Sequence, residues 1–451
     1  MKYILKTILI VGILFTTLSC SEDEGVAPAI DILSSTINGS SINNSNQEIP
    51  IATTIEFVFS TALIPNSFEA AFSISGVSGN VDYDLTYSNA TTKVTATLLL
   101  DYNTTYTVNL DAIAIGAKGE KLNQSLSFSF KTALDDVIRS QAPCTSECLE
   151  TVSLSIEGTS GSFDYYSSYP IYEENASWEN LTTALIVVHG VNRNADDYFS
   201  FMSSTITQEN LGNEIVLISP FFKNSSEATG DDFYWSSVNW REGDQSINSA
   251  KISSYAVIDS IIDRLSDKEH FPVLDKIIIT GHSAGALFTH AYAASNISES
   301  NHTDIGFEYI VANSQYFYYP DGQRIDEASN QLFTPSNCAS YQIWPLGFNS
   351  APSYLSSTTQ DMLNTQFTDR SVGYLLGNGN QSDPTLNTSS CQNILQGSTR
   401  YQRGENMFRY MELVYPSSHN HYKTIVNGVG HDGSGMYKSF EFKTLIKSLL
   451  K

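Results

Sequence analysis

Residues 275–294 read Asp275-Lys-Ile-Ile-Ile-Thr-Gly-His-Ser-Ala-Gly-Ala-Leu-Phe-Thr-His-Ala-Tyr-Ala-Ala294. The run Ile277–Ile279 is β-branched and unbroken, as a strand that is buried on both faces requires. Gly281-His-Ser-Ala-Gly285 follows at once, and small and apolar residues then continue at helical spacing. A serine in a strand, G-x-S-x-G, helix context stands on a sharp turn above the edge of a sheet. The sequence therefore predicts that Ser283 is a nucleophile.

This segment resembles the nucleophile elbow of the α/β-hydrolase superfamily. The resemblance implies an α/β fold with a doubly wound, mostly parallel sheet that helices cover on both faces. It also implies that the backbone N–H of Ala284, at the start of the helix, stabilises an oxyanion. Gly281 and Gly285 have no Cβ, so strand and helix can approach closely. The alternative is a chance G-x-S-x-G in an ordinary turn.

Other segments fit alternating strands and helices. Apolar strands are predicted at residues 184–188, 214–219, 307–312, 371–376 and 422–426. Antiparallel strands are predicted before them, at residues 151–156 and 162–166. Residues 252–265 have helical apolar spacing, and one closing helix is predicted over residues 436–450.

A serine nucleophile needs a neighbouring base, and in this superfamily the order along the chain is nucleophile, acid, histidine. His431 lies in a glycine-rich loop directly after the last predicted strand, where a doubly wound sheet places functional side chains. It resembles the catalytic histidine of the superfamily. His419 and His421 are rivals that precede the strand and have the character of surface residues. His282 is predicted to pack or to hydrogen-bond behind the site.

The predicted triad acid is Asp383. It is the first carboxylate after the predicted strand at residues 371–376, and it would accept the His431 N–H. Asn380 comes earlier in the same loop but is an amide without charge, so a site that uses Asn380 stays an alternative. Asp383 also precedes a proline, which is common in turns. The weaker candidates are Asp361, Asp369 and Asp432.

The second oxyanion donor is predicted after the strand at residues 184–188. The superfamily has a His-Gly pair at this point, here His189-Gly190, and the resemblance gives the donor role to the N–H of Val191. Arg193 is expected to anchor this loop, or else to contact substrate. Two aromatic clusters, at residues 232–243 and 315–320, line a pocket or, as we prefer, pack within loops.

The chain has 451 residues, of which 41% are hydrophobic, and a net charge of −24. This length predicts more than one domain. No basic patch stands out, so nucleic acid is not an expected partner. The predicted divisions are a lipoprotein signal peptide (1–20), an acidic tether (21–27), an Ig-like β-sandwich domain (28–133), a linker (134–150) and an α/β-hydrolase catalytic domain (151–451).

Residues 28–133 read as all-β, because short runs that alternate apolar and polar residues recur, as in Thr54–Phe59. The segments at residues 103–108, 116–119 and 128–132 resemble a bacterial Ig-like domain of the S-layer type. Such domains act as spacers or docking modules, so no chemistry is expected here.

The first twenty residues have the features of an export signal. Lys2 and Lys6 precede a short apolar run, and Thr17-Leu-Ser-Cys20 resembles a lipoprotein signal-peptidase box. Cys20 is the predicted lipidation site, which makes the membrane a partner through a lipid anchor. The acidic run at residues 21–24 resembles the tether of outer-membrane lipoproteins that face the cell surface. An ordinary cleaved signal is the alternative.

The four other cysteines are even in number, as a disulfide framework in an exported chain requires. We favour pairing Cys144 with Cys148 and Cys338 with Cys391 among the three possible connectivities. A zinc site is the rival, but histidine is sparse near these cysteines.

Together these features predict a surface-anchored serine hydrolase that cleaves carboxylic esters through an acyl-enzyme, without a cofactor or a metal ion. The ester substrate is not identified by the sequence. A serine peptidase of the same fold is the enzymatic alternative. The other alternative is a catalytically inactive surface protein with a role in binding or adhesion.

Overall fold

The structure is a computed structural model that describes residues 28–42, 49–77, 79–133, 138 and 141–450. The chain divides into two compact units, Met1–Asp136 and Val137–Lys451. The predicted signal peptide, Cys20 and the acidic tether lie outside the described residues.

The first unit is a β-sandwich. In β3, alternate side chains such as Ile55, Phe57 and Phe59 are buried, because successive residues of a strand point to opposite faces. One antiparallel sheet has the order β2-β1-β3-β7-β6 and the other the order β5-β4-β8-β9. The elements are β1 (Ile32–Ile37), β2 (Ser40–Ser41), β3 (Ala52–Phe59), α1 (Pro65–Ala71), β4 (Phe72–Gly76), β5 (Gly79–Asn80), β6 (Asp84–Ser88), β7 (Lys93–Leu99), β8 (Thr105–Leu110) and β9 (Leu126–Lys131).

The second unit is built on an eight-stranded sheet with helices on both faces. Its strands and a separate hairpin are β10 (Leu149–Ile156), β11 (Thr159–Ser167), β12 (Thr183–Val188), β13 (Ile215–Pro220), β14 (Lys276–His282), β15 (Gly306–Ala312), β16 (Arg324–Asp326), β17 (Gln331–Phe333), β18 (Ser371–Gly377) and β19 (Asn420–Val426). Its helices are α2 (Ala195–Gln208), α3 (Ser254–Leu265), α4 (Ala284–Ser295), α5 (Ser298–Asn301), α6 (Gln360–Asp369), α7 (Cys391–Ile394), α8 (Arg400–Val414), α9 (Gly433–Lys438) and α10 (Phe440–Leu449), with short 3-10 helices at Asn239–Glu242 and Ser353–Leu355.

The sheet has the strand order β10-β11-β13-β12-β14-β15-β18-β19. β11 pairs antiparallel with β10 and β13. The other neighbours in this order, β13-β12-β14-β15-β18-β19, pair in parallel. This order and sense confirm the predicted doubly wound, mostly parallel α/β-hydrolase sheet after an Ig-like sandwich. The carboxyl ends of β12, β14, β18 and β19 lie at one edge, so the loops after them meet there.

Strand β14 contributes apolar side chains to two hydrophobic cores, one on each face of the sheet. Ile277 and Ile279 of β14 belong to the core beneath α3, α4, α6 and α8, whereas Ile278 belongs to the core beneath α2, α9 and α10. Both faces of the strand are therefore buried, which explains why the run at Ile277–Ile279 is not interrupted by a polar residue.

Two boundaries differ from the sequence expectations. The predicted closing helix is broken at Ser439, whose backbone is extended and whose hydroxyl accepts a hydrogen bond from Phe442 N at 3.1 Å, so that it ends α9 and caps α10. The predicted linker 134–150 is in part ordered on the second unit, since Cys144 N donates to Ser168 O at 2.8 Å and β10 already begins at Leu149. Within the described part of the chain, no helix is both long enough and apolar enough to cross a membrane.

The two glycines of the G-x-S-x-G segment lie where three backbone segments cross. A Cβ on Gly281 would collide with the carbonyl of Gly285, and a Cβ on Gly285 would collide with the carbonyl of Val188 at the end of β12. These obstacles are backbone atoms, which cannot rotate away as a side chain can.

We therefore expect Gly285→Ala to destabilise the second unit by about 1–3 kcal/mol, as overpacking of a tight interior does. The measurement is the thermal unfolding of the full chain. Gly306→Ala in β15 is the matched control, because a Cβ there meets only Asp275 O at 3.6 Å, an ordinary contact. Equal unfolding temperatures for the two variants would contradict this account.

Candidate active site

Ser283 connects β14 to α4 in a strained turn. Its φ is 60° and its ψ is −110°, a region that side chains other than glycine rarely occupy. The turn is held by the Ser283 N–H, which donates to Ala312 O at 3.1 Å. Ser283 lines a cavity of about 660 Å³ at the carboxyl edge of the sheet, together with Val191, Ala284 and His431. The structure thus brings the predicted nucleophile, base and oxyanion loop to one cavity.

His431 and Asp383 come from the loops after β19 and β18. His431 Nδ1 lies 3.3 Å from Asp383 Oδ2, and the Asp383 side chain is only 7% exposed. His431 Nε2 is buried, and no described residue is hydrogen-bonded to it, Ser283 included. The nitrogen that would take the serine proton is therefore unpaired, as is common before substrate tightens a catalytic contact.

The Asn380 side chain is not hydrogen-bonded to the histidine. Its Oδ1 accepts a hydrogen bond from Ser382 N at 3.0 Å within its own loop. Asp361 and Asp369 lie in α6, before β18. Of the carboxylates weighed in the sequence, Asp383 is the one that faces His431 Nδ1.

Asp383 is bound on both carboxylate oxygens. Oδ1 accepts hydrogen bonds from the backbone N (2.8 Å) and the hydroxyl (2.6 Å) of Thr385. Oδ2, the oxygen nearest His431, also accepts from Arg400 Nε at 2.5 Å. Arg400 is itself buried, and its Nη2 donates to the Thr385 hydroxyl at 2.9 Å. A buried arginine therefore fixes the carboxylate that faces the histidine.

These contacts set the charges at the site. Burial alone raises the pKa of Asp383, but the hydrogen bond from Thr385 and the charge of Arg400 outweigh it and lower the pKa to about 2. Burial lowers the pKa of His431, and the charge of Arg400 lowers it further, while Asp383 opposes both. At neutral pH the arrangement is a carboxylate beside a neutral imidazole, the state that a general base requires.

Arg400 was not found from the sequence. It is the first residue of α8, which begins after Thr399, and the Thr399 hydroxyl accepts a hydrogen bond from Gln402 N at 3.1 Å. A threonine followed three residues later by glutamine is a helix-start signal, so this helix was open to prediction. The contact between Arg400 and Asp383 was not, because it joins the loop after β18 to the start of α8, which only the fold brings together.

The loop after β12 is held by His189 and Arg193. His189 Nδ1 lies 2.8 Å from Gly190 O, and its Nε2 accepts from Phe222 N at 3.2 Å. Burial lowers the pKa of His189 to about 3, so the ring is neutral and can make both bonds. Arg193 donates to the carbonyls of Phe222 and Ser236, which is the anchoring role we expected. Val191, between these anchors, is 54% exposed in the cavity.

His282 packs behind the histidine of the site. Its ring lies against that of His431, with centroids 5.0 Å apart and planes 27° apart. Its Nδ1 is 3.0 Å from the Tyr198 hydroxyl. Burial, with the charges of His431 and Arg400, lowers the pKa of His282 well below its usual value. A neutral ring supports His431 from behind, consistent with the packing role that the sequence suggested.

The structure also locates the aromatic cluster, the second histidine and the cysteines that the sequence singled out. Trp235 and Trp240 are fully buried, so most of the first aromatic cluster packs in the core. His421 is in β19, not before it, and is buried with Nε2 2.8 Å from Phe367 O, so its expected surface character was wrong.

The structure joins Cys144 to Cys148 and Cys338 to Cys391, the pairs that we favoured. Over the described ranges, no group of three His, Cys, Asp or Glu residues is arranged to hold a metal ion.

The position of Arg400 predicts a change in the pH profile. A general base acts in its neutral form, so an activity for which His431 is the base is lost as pH falls through its pKa. Because Arg400 lowers that pKa, Arg400→Gln should move the acid limb of kcat/KM to higher pH, and Arg400→Lys, which keeps the charge, should move it less. The measurement is kcat/KM of a soluble ester against pH.

The control for this experiment is Arg409→Gln, on the same helix, whose partner is Glu412. Its profile should match that of the unmodified protein. A folded Arg400→Gln protein with an unshifted acid limb would show that Arg400 does not set the charge state of His431.

Comparison with known proteins gives one family match and several similar solved structures. A family model described as a bacterial Ig-like domain matches residues 31–132. Among solved structures, the poly(3-hydroxybutyrate) depolymerase LpqC from Bordetella parapertussis is 18% identical, with a TM-score of 0.46, over 64% of this chain and 87% of its own. The poly(aspartic acid) hydrolase-1 from Sphingomonas sp. KT-1 is also 18% identical, with a TM-score of 0.44, over 64% of this chain and 95% of its own.

The S-formylglutathione hydrolase FrmB from Staphylococcus aureus is 12% identical, with a TM-score of 0.38, over 67% of this chain and 98% of its own. No curated protein matches the chain. The fold of the first unit is assigned from the family match, and that of the second unit from the strand order of its sheet. The chain consists of a bacterial Ig-like domain followed by a domain of the α/β-hydrolase fold.

Proposed function

We propose that the second unit is a serine hydrolase that cleaves carboxylic esters. The observation that carries the proposal is the strained turn at Ser283, which faces the same cavity as His431, with the buried carboxylate of Asp383 beside His431 Nδ1. A serine that is held in this backbone conformation, at the edge of a sheet and in one cavity with a neutral imidazole, has the setting of an activated nucleophile.

In the proposed reaction, Ser283 Oγ forms a bond to the ester carbonyl carbon while His431 Nε2 takes the serine proton. The N–H groups of Val191 and Ala284 stabilise the oxyanion. The bond from carbon to the alcohol oxygen then breaks, and His431 returns the proton to that oxygen. Water repeats the steps on the acyl-enzyme and releases the acid. Throughout the reaction, Asp383 accepts a hydrogen bond from the Nδ1–H of His431, and its charge stabilises the imidazolium.

The test of this proposal has two stages. A fluorophosphonate probe should label the full chain, and Ser283→Ala should abolish both the labelling and the hydrolysis of a para-nitrophenyl ester. An unlabelled protein without ester hydrolysis would favour the inactive binding protein instead. Hydrolysis of peptide amides at rates equal to those of the matching esters would favour the peptidase.

The role of Asp383 is tested separately. Asp383→Asn should lower kcat by about four orders of magnitude, because the amide no longer fixes the histidine tautomer. Asp361→Asn, an exposed position on α6, is the matched control, and Asn380→Ala tests the amide alternative. Near-normal kcat for a folded Asp383→Asn protein, with a large loss for Asn380→Ala, would transfer the role to Asn380.

We also propose that the protein is an exported lipoprotein of the outer membrane that faces the cell surface. The support is the segment from Lys2 to Cys20 and the Ig-like match, since such domains are typical of bacterial surface and exported proteins. A lipid anchor would keep the hydrolase at the cell boundary, where it meets substrates too large to enter.

Cys20→Ala should remove the modified cysteine, so that the protein leaves the membrane fraction or stays unprocessed. The measurement is fractionation of cells with metabolic labelling by a fatty-acid analogue. Undiminished labelling and membrane retention in the variant would contradict the lipoprotein assignment and leave another anchor to be found.

A further inference from the structure

A second cavity, of about 250 Å³, adjoins the catalytic cavity. Arg241 lines both cavities. Ala284, at the start of α4, lines the catalytic cavity, and Leu287, one turn further along, lines the second. In the loop after β15, Gln315 lines the first and its neighbour Tyr316 the second. Three segments therefore contribute residues to both cavities, so the two cavities are neighbours.

The lining of the second cavity is mixed: polar side chains lie beside an apolar and aromatic part. Leu287 and Leu346 are buried beside it, and the rings of Tyr316 and Trp344 contribute to the lining. The indole N–H of Trp344 donates to Glu242 O at 2.7 Å, so its polar atom is already satisfied and the ring is left as an apolar surface. The aromatic part of this lining suits an aromatic group, which gains from ring-to-ring contact, and the polar part suits a polar substituent on that group.

One buried polar side chain in this lining has no protein partner. Asn393 is only 4% exposed, and no described residue hydrogen-bonds to its side-chain amide. A buried amide offers two donors and an acceptor, and buried polar groups in proteins nearly always find partners. The Asn393 amide lines the cavity and is open to what occupies it, either water or a polar atom of a ligand.

The rim of the cavity is held in place without a ligand. The disulfide between Cys338 and Cys391 joins the loop that carries Trp344 and Leu346 to α7, which carries Asn393. The Ser340 hydroxyl adds a hydrogen bond to Gln392 Oε1 at 2.9 Å. A wall fixed in this way loses little freedom when it binds a group, and this favours affinity.

The proposed chemistry in the catalytic cavity indicates which part of the ester, the acyl or the alcohol group, the second cavity can hold. The alcohol oxygen must receive its proton from His431, so the alcohol leaves beside that residue. His431 lines the catalytic cavity but not the second one. The acyl group is the part of the ester that can extend away from His431, past Arg241, into the second cavity.

We propose that the second cavity is the acyl subsite and that it binds an aromatic acyl group with a hydroxyl group on its ring. This rests on the proposed ester hydrolysis. A cavity of roughly 150 Å³ holds benzene, so 250 Å³ has room for a ring, its hydroxyl and a short link to the carbonyl. The ring packs against Tyr316 and Trp344, and the hydroxyl group satisfies the Asn393 amide.

The first test compares ethyl esters of para-hydroxyphenylpropanoate, phenylpropanoate and acetate on the full chain. The hydroxylated ester should have the highest kcat/KM. Asn393→Leu should lower the ratio of kcat/KM for the hydroxylated over the plain aromatic ester by about tenfold, the effect of one hydrogen bond to a buried partner. Asn301→Leu, an exposed asparagine on α5, is the matched control and should keep the ratio.

An unchanged ratio in Asn393→Leu, or a wild-type preference for acetate over both aromatic esters, would overturn the subsite while leaving ester hydrolysis intact. If no ester is hydrolysed, the proposed function fails, and binding of para-ethylphenol by titration calorimetry decides the subsite. Binding that weakens about tenfold in Asn393→Leu and not in Asn301→Leu supports it. Absent binding, or equal binding to both variants, overturns it.

Discussion

The site depends on the close crossing of three backbone segments at the G-x-S-x-G turn. Gly281 and Gly285 leave no room for a Cβ between β14, the start of α4 and the end of β12. The crossing keeps Ser283 in its positive-φ conformation and, through the carbonyl of Val188, sets where the His189-Gly190 loop begins. The serine and the oxyanion loop therefore have fixed positions relative to each other because main-chain atoms, not side chains, determine the separation.

A second constraint is electrostatic. Asp383, His431 and Arg400 are close together and largely removed from water, so each charge acts strongly on the others. With Asp383 alone, the imidazole would be drawn toward its charged form. Burial and the charge of Arg400 both lower the pKa of His431 against the effect of Asp383, so the carboxylate can orient the histidine without holding it protonated. Asp383 sets the orientation of the His431 ring, and Arg400 limits the rise in its pKa that the carboxylate alone would cause.

Much of the fold was predictable, because strand burial leaves a clear pattern. Ile277–Ile279 had to be a strand buried on both faces, and the alternation in Thr54–Phe59 had to be a half-buried strand. The loops after strands also located His431 and Asp383. α8 was missed because its buried residues include arginine, glycine and asparagine, so apolar spacing does not mark it. The break at Ser439 was missed because a single capping hydroxyl overrides a continuous apolar pattern.

The proposed acyl subsite and the proposed nucleophile lie in different kinds of segment. Ser283, His431, Asp383 and Val191 follow strands of the central sheet, whereas the cavity wall is formed in large part by the segment around Trp344 and by α7, which lie outside the sheet. Insertions or exchanges in those outer segments can alter the shape and polarity of the cavity without moving the backbone crossing. In evolutionary terms, the proposed roles allow relatives of this chain to differ in the acids they accept while they keep the same catalytic step.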